Sequence, residues 1–186
     1  MNSIKKTISS VNYYRSKYGI FTSLRLLNHF RYRVMNKPHQ INPDTKLLIN
    51  GYEMFLKQND PGISTELSIF KSHEPLNTKI ISSLIKKGMT CVDIGGNIGY
   101  YVLLERKLIG SQGTLIAIEP EPKNFFYLNK NIKLHGYQNI STFNFACGEI
   151  DQVADFFIHK KSNGCQVIRK DVSPPSPKKG TISQVE

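Results

Sequence analysis

A glycine-rich turn within the segment CVDIGGNIGYY contains the residues best suited to bind a ligand. Its centre reads Asp93-x-Gly95-Gly96-Asn97-x-Gly99. Glycines between a strand and a helix let a ligand approach the backbone, because no side chain stands in the way. We expect the three glycines to clear this space. Asn97 can adopt the left-handed backbone conformation and offer its side-chain amide to the ligand.

The acid that precedes the turn, Asp93, indicates the charge of the ligand. Dinucleotide sites favour the spacing Gly-x-Gly-x-x-Gly and hold a pyrophosphate at the helix N-terminus. A carboxylate at this place would repel that anion. Asp93 suits a ligand that is cationic at this end, with a free amino group and a sulfonium. The alternative is that Asp93 merely caps the loop.

A second acid, Glu119, lies 20 residues after Gly99 and is followed by Pro120. It stands at the end of the next predicted strand, where an acid can accept hydrogen bonds from two ribose hydroxyls. NAD and S-adenosylmethionine both contain such a ribose, so Glu119 alone does not choose between them. Asp93 and Glu119 together favour S-adenosylmethionine. The alternative is that Glu119 is a surface acid.

Helices and strands alternate from residue 74 onward. The segments TCVDI, TLIAIEP and STFNFA predict strands, and VADFFIHKK predicts a fourth. The segments EPLNTKIISSLIKKG and PKNFFYLNKNIKLHG predict helices, with a proline in the first turn and a glycine past the end. Residues 99–109 predict a further helix that ends at Gly110. This alternation predicts an α/β fold with a doubly wound parallel sheet. Upstream, KLLINGYEMFL predicts a β-hairpin that turns at Asn50-Gly51.

The formal net charge of +11 is unevenly spread along the chain. We divide the sequence into a basic N-terminal helical extension (1–45), a domain (46–168) and a Pro- and Lys-rich tail (169–186). The charge favours anionic partners such as nucleic acid, acidic lipid headgroups or acidic substrates. The alternative is a solvated basic surface.

The extension contains one predicted amphipathic helix. Four apolar residues fall on one helical stripe: Ile20, Leu24, Leu27 and Phe30. Such a helix usually packs on its own domain, and peripheral contact with an anionic membrane is the minor alternative.

Cysteines and histidines show no metal-binding pattern. The three cysteines have neither paired nor ligand spacing: Cys91, Cys147 and Cys165. This favours a reducing compartment, and we expect the cytoplasm. No apolar run approaches the roughly 18 residues of a membrane span, and the N-terminus lacks the apolar core of a secretory signal. We expect His29, His39 and His73 at the surface rather than as ligands.

The motifs described so far resemble the FkbM-type family of S-adenosylmethionine-dependent methyltransferases. The resemblance is carried by VDIGGNIGYY, IAIEPEPKNFFYLNKNIKLHG and FNFACGE, and by the upstream NDPGISTELSIFKSHEPLNTKI. It covers roughly residues 50–168. It implies a Rossmann-like class I methyltransferase sheet and, typically, methylation of hydroxyl oxygens on sugars or natural products.

The resemblance also implies which residues contact the cofactor. The methionine part of the cofactor would be lined by Asp93, Gly95, Gly96, Asn97 and Gly99. The ribose would be held by Glu119, with Pro120 beside it. The adenine would be flanked by Asn144 and Phe145. Glu74, just before the first helix of the alternating region, is a further candidate beside the cofactor. A base that takes the proton of the acceptor hydroxyl would help the reaction, and no residue is assigned to that role. No metal is expected.

The chain departs from the family at its C-terminal end. The resemblance implies a further strand with a Lys-Ile-Asp-x-Glu-Gly-like segment beyond FFIH, and the sequence ends at Glu186. We therefore expect a sheet that is truncated after its third or fourth strand, in which TCVDI is an unpaired edge. A partial chain, a gene fragment and a subunit completed by another chain or a second copy are the alternatives.

Two functions are consistent with these patterns. The first is methyl transfer from S-adenosylmethionine to a hydroxyl of a glycan or small metabolite, with the chain as the enzyme or its cofactor-binding half. The second is a non-catalytic Rossmann-like module whose basic segments bind an anionic partner, acidic lipid more readily than nucleic acid. Salt-sensitive binding without affinity for the cofactor would distinguish the second function.

Overall fold

The computed structural model describes residues 16, 19–21, 24, 46–60, 62–149, 153–159, 165–168 and 180–185. Apart from a few single positions, the predicted N-terminal helix and its basic residues lie outside these ranges. Of its predicted stripe, Ile20 and Leu24 are described; both are helical and more than half exposed. Within the described residues, no helix combines the length and the apolar character needed to cross a membrane.

The predicted hairpin is confirmed. Strand β1 (Lys46–Ile49) pairs antiparallel with β2 (Tyr52–Phe55). The two turn residues have positive φ, 49° at Asn50 and 82° at Gly51, as a tight two-residue turn between twisted strands requires. Ile49 and Met54 are fully buried and anchor the hairpin on the domain.

Four helices follow the hairpin in the described part of the chain. They are α1 (Ile63–Phe70), α2 (Pro75–Leu84), α3 (Tyr100–Ile109) and α4 (Pro122–Leu134). The proline and glycine signals predicted the last three, and Gly110, with φ of 71°, ends α3 as expected. The sequence analysis did not predict α1.

The centre of the fold is a parallel sheet of three strands. Strands β3 (Thr90–Ile94), β4 (Thr114–Ile118) and β5 (Ile140–Phe143) lie in that order. Register places Asp93 beside Ala117, and Ala117 beside Thr142. The predicted α/β class is confirmed. The third strand is shorter than STFNFA, so Asn144 and Phe145 lie just beyond it.

Helices cover one face of this sheet. Val102 of α3 and Leu128 of α4 pack against Leu115 and Ala117 of β4 in one apolar cluster. On the opposite face, three apolar side chains are between 43% and 66% exposed: Val92, Ile94 and Phe143. Within the described ranges β3 has a strand on one side only, as expected for TCVDI.

The predicted fourth strand belongs to a separate sheet, so within the described residues the parallel sheet has only its first three predicted strands. Strand β6 (Ala154–His159) pairs antiparallel with β7 (Gln166–Val167) and with β8 (Gly180–Val185). A parallel partner requires a long crossover connection, whereas antiparallel strands need only short ones. Strand β8 lies in the segment that we predicted to be a tail.

Asn131 of α4 joins the hairpin to the glycine-rich turn. Its side chain is fully buried. Its Oδ1 accepts a hydrogen bond from the Phe55 amide at 2.7 Å, and its Nδ2 donates to the carbonyls of Phe55 and Ile98 at 3.1 and 2.7 Å. Buried polar groups persist when they are satisfied in this way, so Asn131 fixes the position of the turn.

Candidate functional site

The candidate site lies where β3 and β4 end. Asp93 is the fourth residue of β3, and Glu119 directly follows β4. Parallel sheets bind ligands in the crevice outside the carboxyl ends of their strands. The structure therefore brings the two predicted acids to the same edge of the sheet, beside the glycine-rich turn at 95–99.

The turn glycines have two different roles. A Cβ at Gly95, where φ is 89°, would meet no atom within 4 Å, so Gly95 faces open space. At Gly96 and Gly99 a Cβ would lie 3.3 Å from Val102 Cγ2 and 3.1 Å from Leu128 Cδ1. These two glycines allow close helix packing. Of these three glycines, Gly95 is thus the one beside open space, and its role in clearing space for a ligand stays a prediction.

Every amide of residues 95–99 is used within the protein. Gly95 and Gly96 both donate to the Ile118 carbonyl, at 2.8 and 3.0 Å. Asn97 donates to Glu119 Oε2 at 2.8 Å, Ile98 to the Asn97 side chain, and Gly99 to the Gly96 carbonyl. A phosphate cradle needs free N–H groups that point at the anion. This turn therefore offers a pyrophosphate no such cradle.

Asn97 has the backbone conformation predicted for it, with φ of 50°. Its side-chain oxygen accepts from the following amide at 2.9 Å. The Nδ2 group is therefore the part of this side chain that could donate to a ligand.

Glu119 is buried and largely satisfied by the protein itself. Its Oε1 accepts from the Glu121 amide at 2.8 Å and from Asn124 Nδ2 at 3.4 Å, while Oε2 accepts from the Asn97 amide. Burial raises the pKa of Glu119, although these three hydrogen bonds oppose that shift. Each carboxylate oxygen can accept about two bonds, so Oε2 has room for one further donor. Glu119 also ties the end of β4 to the turn, which the sequence did not predict.

Asp93 is the unsatisfied member of the pair. Its Oδ2 is buried and has no hydrogen-bond partner. Burial, and to a lesser extent the charge of Glu119, raises the pKa of Asp93 to about 6. A buried acceptor without a partner is uncommon in folded proteins. Of the two predicted acids, Asp93 is therefore the one that lacks a donor or a cation.

Sequence reasoning missed a third acid, Glu105 of α3. Its Oε2 is also buried without a partner, and burial, followed by the charge of Asp93, raises its pKa to about 7. A signal was present in the sequence. Glu105 lies three residues after Val102 and four before Ile109, on the helix face that those two fully buried residues define.

Asn144, Phe145 and Pro120 lie together beyond β4 and β5. Asn144 Nδ2 donates to the carbonyls of Glu119 and Pro120, at 2.8 and 3.1 Å. The ring of Phe145 is half-buried beside Phe143, with 5.5 Å between centroids. Asn144 thus holds the backbone that carries Glu119, and contact of these residues with adenine stays a prediction.

Glu74 lies at the start of α2 and reaches the start of α3. Its Oε2 accepts from Asn77 Nδ2 and from the Tyr101 hydroxyl, both at 3.0 Å, and hydrogen bonds from these two groups lower its pKa. Its φ of 41° is rare for a residue with a side chain. Since Tyr101 follows the glycine turn by two residues, Glu74 stands near the site but does not contact Asp93 or Glu119 in any hydrogen bond.

Comparisons with known proteins give a likeness of fold. No family model and no curated protein matches the sequence. Solved structures that resemble it include a protein-L-isoaspartate O-methyltransferase (22% identity, TM-score 0.38, over 40% of this chain and 24% of the other). They also include TYW2 from M. jannaschii in complex with AdoMet (19% identity, TM-score 0.42, over 57% of this chain and 45% of the other). A third is Trm5b from Pyrococcus abyssi (19% identity, TM-score 0.40, over 57% of this chain and 30% of the other). The chain thus spans less than half the length of these three proteins.

Proposed function

We propose that this chain binds S-adenosylmethionine where β3 and β4 end, as the cofactor-binding part of a methyltransferase. In this proposal the acceptor is the hydroxyl of a sugar, a glycan or a small metabolite, as in the FkbM-type family that the motifs resemble. The bound cofactor would supply a methyl group that is already activated by a sulfonium. The chain would bind and align it, and alignment carries much of the rate of such a displacement.

The unpartnered Oδ2 of Asp93 is the observation that carries the proposal. An ammonium group at this place would satisfy the buried oxygen and favour the charged form of the carboxyl. The amides of residues 95–99 support the same ligand class, because they leave nothing to bind a pyrophosphate. A cationic adenosyl ligand fits both observations, and a dinucleotide fits neither.

The roles proposed for the other residues follow from the hydrogen-bonding capacity and the space that the protein itself leaves unused. Glu119 Oε2, with one bond from Asn97, would accept one ribose hydroxyl. This is one hydroxyl fewer than the sequence analysis expected. The open space at Gly95 would admit the ligand backbone, and Asn97 Nδ2 would donate to it.

Calorimetric titration tests the proposal. S-adenosylhomocysteine should bind measurably and NAD should not, and Asp93→Asn should weaken the binding of S-adenosylhomocysteine. Preference for NAD would overturn the proposal. Binding of neither compound, together with salt-sensitive retention on anionic vesicles, would favour the non-catalytic module that the net charge of +11 also allows.

A further inference from the structure

The segment that joins α1 to α2, residues 71–74, has a strained backbone. None of its four residues is a glycine, yet two of them have positive φ, 59° at Lys71 and 41° at Glu74. Such conformations cost on the order of 1–3 kcal/mol each and persist only where surrounding contacts enforce them. Between them lies His73, which the sequence analysis expected at the surface. Its side chain is in fact mostly buried, with one fifth of it exposed.

His73 forms a close pair with a carboxylate. Its Nδ1 lies 2.8 Å from Oε2 of Glu66 on α1. An ionised carboxylate only accepts hydrogen bonds, so Nδ1 must carry the proton in this contact. In the neutral ring the lone pair is then on Nε2. A carboxylate that orients a histidine in this way is the arrangement that prepares an imidazole for proton transfer.

The backbone of His73 is held from two sides. Its amide donates to the hydroxyl of Tyr100 at 3.1 Å, and its carbonyl accepts from the Thr78 hydroxyl at 2.8 Å. The Tyr100 hydroxyl also accepts from Asn50 Nδ2 at 2.6 Å. The rings of His73 and Tyr100 meet edge to face, with centroids 5.5 Å apart. The imidazole is therefore fixed in position, as a group that acts in a transition state must be.

This histidine lies beside the start of α3, the helix that follows the glycine-rich turn. Tyr100 and Tyr101 directly follow Gly99, and both rings contact the ring of His73. The Nε2 atom lies 3.9 Å from Oε2 of Glu74.

We propose that Glu66 and His73 form an acid–base dyad that removes the proton from the acceptor hydroxyl. This inference rests on the proposed function. The hydroxyl proton moves to His73 Nε2 while the hydroxyl oxygen forms a bond to the transferred methyl carbon. The methyl–sulfur bond breaks and its electron pair stays on sulfur, so the sulfonium charge is lost and the imidazolium carries it. The imidazolium then releases its proton to solvent, and Glu66 keeps the ring in the same tautomer throughout.

The chain offers an internal control in His135. Its Nε2 lies 2.8 Å from the Glu53 carbonyl. A carbonyl only accepts, so Nε2 of His135 is the protonated nitrogen and has no lone pair to offer. The two histidines should therefore differ in tautomer and in reactivity at Nε2.

The first experiment is nitrogen NMR on the histidine-labelled full chain at pH 8.5. We expect His73 to be protonated at Nδ1 and bare at Nε2, and His135 to show the opposite. In Glu66→Ala the His73 ring should lose this preference while His135 keeps its own. A wild-type His73 that is protonated at Nε2 would overturn the proposal, whether or not the variant folds.

The second experiment locates the dyad relative to the cofactor. Diethylpyrocarbonate should acylate His73 at Nε2, read by mass spectrometry. S-adenosylhomocysteine at ten times its Kd should slow that modification about tenfold, because about nine-tenths of the sites are then occupied. Modification of His135 should not change. Binding in the calorimeter without protection of His73 overturns the dyad alone, whereas absence of binding overturns the proposed function and with it the role of the dyad.

Discussion

Replacement of Asp93 by asparagine should stabilise the free protein at neutral pH. Burial raises the pKa of Asp93 from 3.8 to about 6. The folded protein thus holds this proton more tightly than the unfolded chain does. The contribution of Asp93 to stability therefore falls as pH rises from about 4 to about 6. At about 1.4 kcal/mol for each pH unit, the full loss above pH 6 is about 3 kcal/mol.

The size of the effect follows from this loss and from the new side chain. The amide of asparagine brings one buried donor that needs a partner, which costs about 1–3 kcal/mol if unmet. We therefore expect the free energy of unfolding of Asp93→Asn to exceed that of the wild type by about 0–2 kcal/mol above pH 6, and to lie below it near pH 4. Urea denaturation at a series of pH values measures both.

Asp60 provides the matched control. It is also buried, but its two oxygens accept from the amides of Gly62 and Ser64 at 3.0 and 2.9 Å. Asp60→Asn should therefore destabilise the protein at neutral pH. The reasoning is refuted if the free energy of unfolding of Asp93→Asn, measured relative to the wild type, does not rise between pH 4 and pH 6.

Three further results are expected. Asn131→Ala removes three hydrogen bonds and leaves buried groups unpaired. The free energy of unfolding, measured in urea, should therefore fall by about 3–5 kcal/mol. A loss under about 1 kcal/mol would contradict the role of Asn131 in joining the hairpin to the turn. Gly113→Ala places a Cβ 2.6 Å from the Met89 carbonyl, and the midpoint of thermal unfolding should drop by on the order of 10 °C; an unchanged midpoint would show that the turn can relax. Tyr100→Phe leaves the His73 amide without its acceptor, so hydrogen exchange at that amide should accelerate by about tenfold. Unchanged protection would mean that the Tyr100 hydroxyl does not hold the backbone of His73.

Local signals in the sequence were sufficient for most of the elements. The pair Asn50-Gly51 predicted a turn with two positive φ angles, and both are present. Gly110 predicted the end of α3. Helix α1 was missed because Pro61 and Gly62 discourage a helix, whereas Asp60 accepts from two amides at its start. That compensation depends on side-chain geometry and not on composition.

The sequence predicted the positions of the site acids but not their side-chain contacts. The positions of Asp93 and Glu119 at adjacent strand ends follow from the alternation of strands and helices. The three donors to Glu119 do not, because two of them are backbone amides that any residue could supply. The pair of Glu66 and His73 depends on how α1 and the following segment fold back on each other. Spacing of residues along the chain does not encode such a contact.

The central claim is that Asp93 binds the amino-acid end of an adenosyl ligand and Glu119 its ribose. Calorimetry with S-adenosylhomocysteine and with 5′-methylthioadenosine, which lacks the amino-acid part, tests it most directly. Asp93→Asn should weaken the first ligand by about tenfold or more and leave the second unchanged, since a charged hydrogen bond contributes about 1.5–3 kcal/mol. Glu119→Gln should weaken both. Equal weakening of both ligands by Asp93→Asn, or of neither, would contradict the claim.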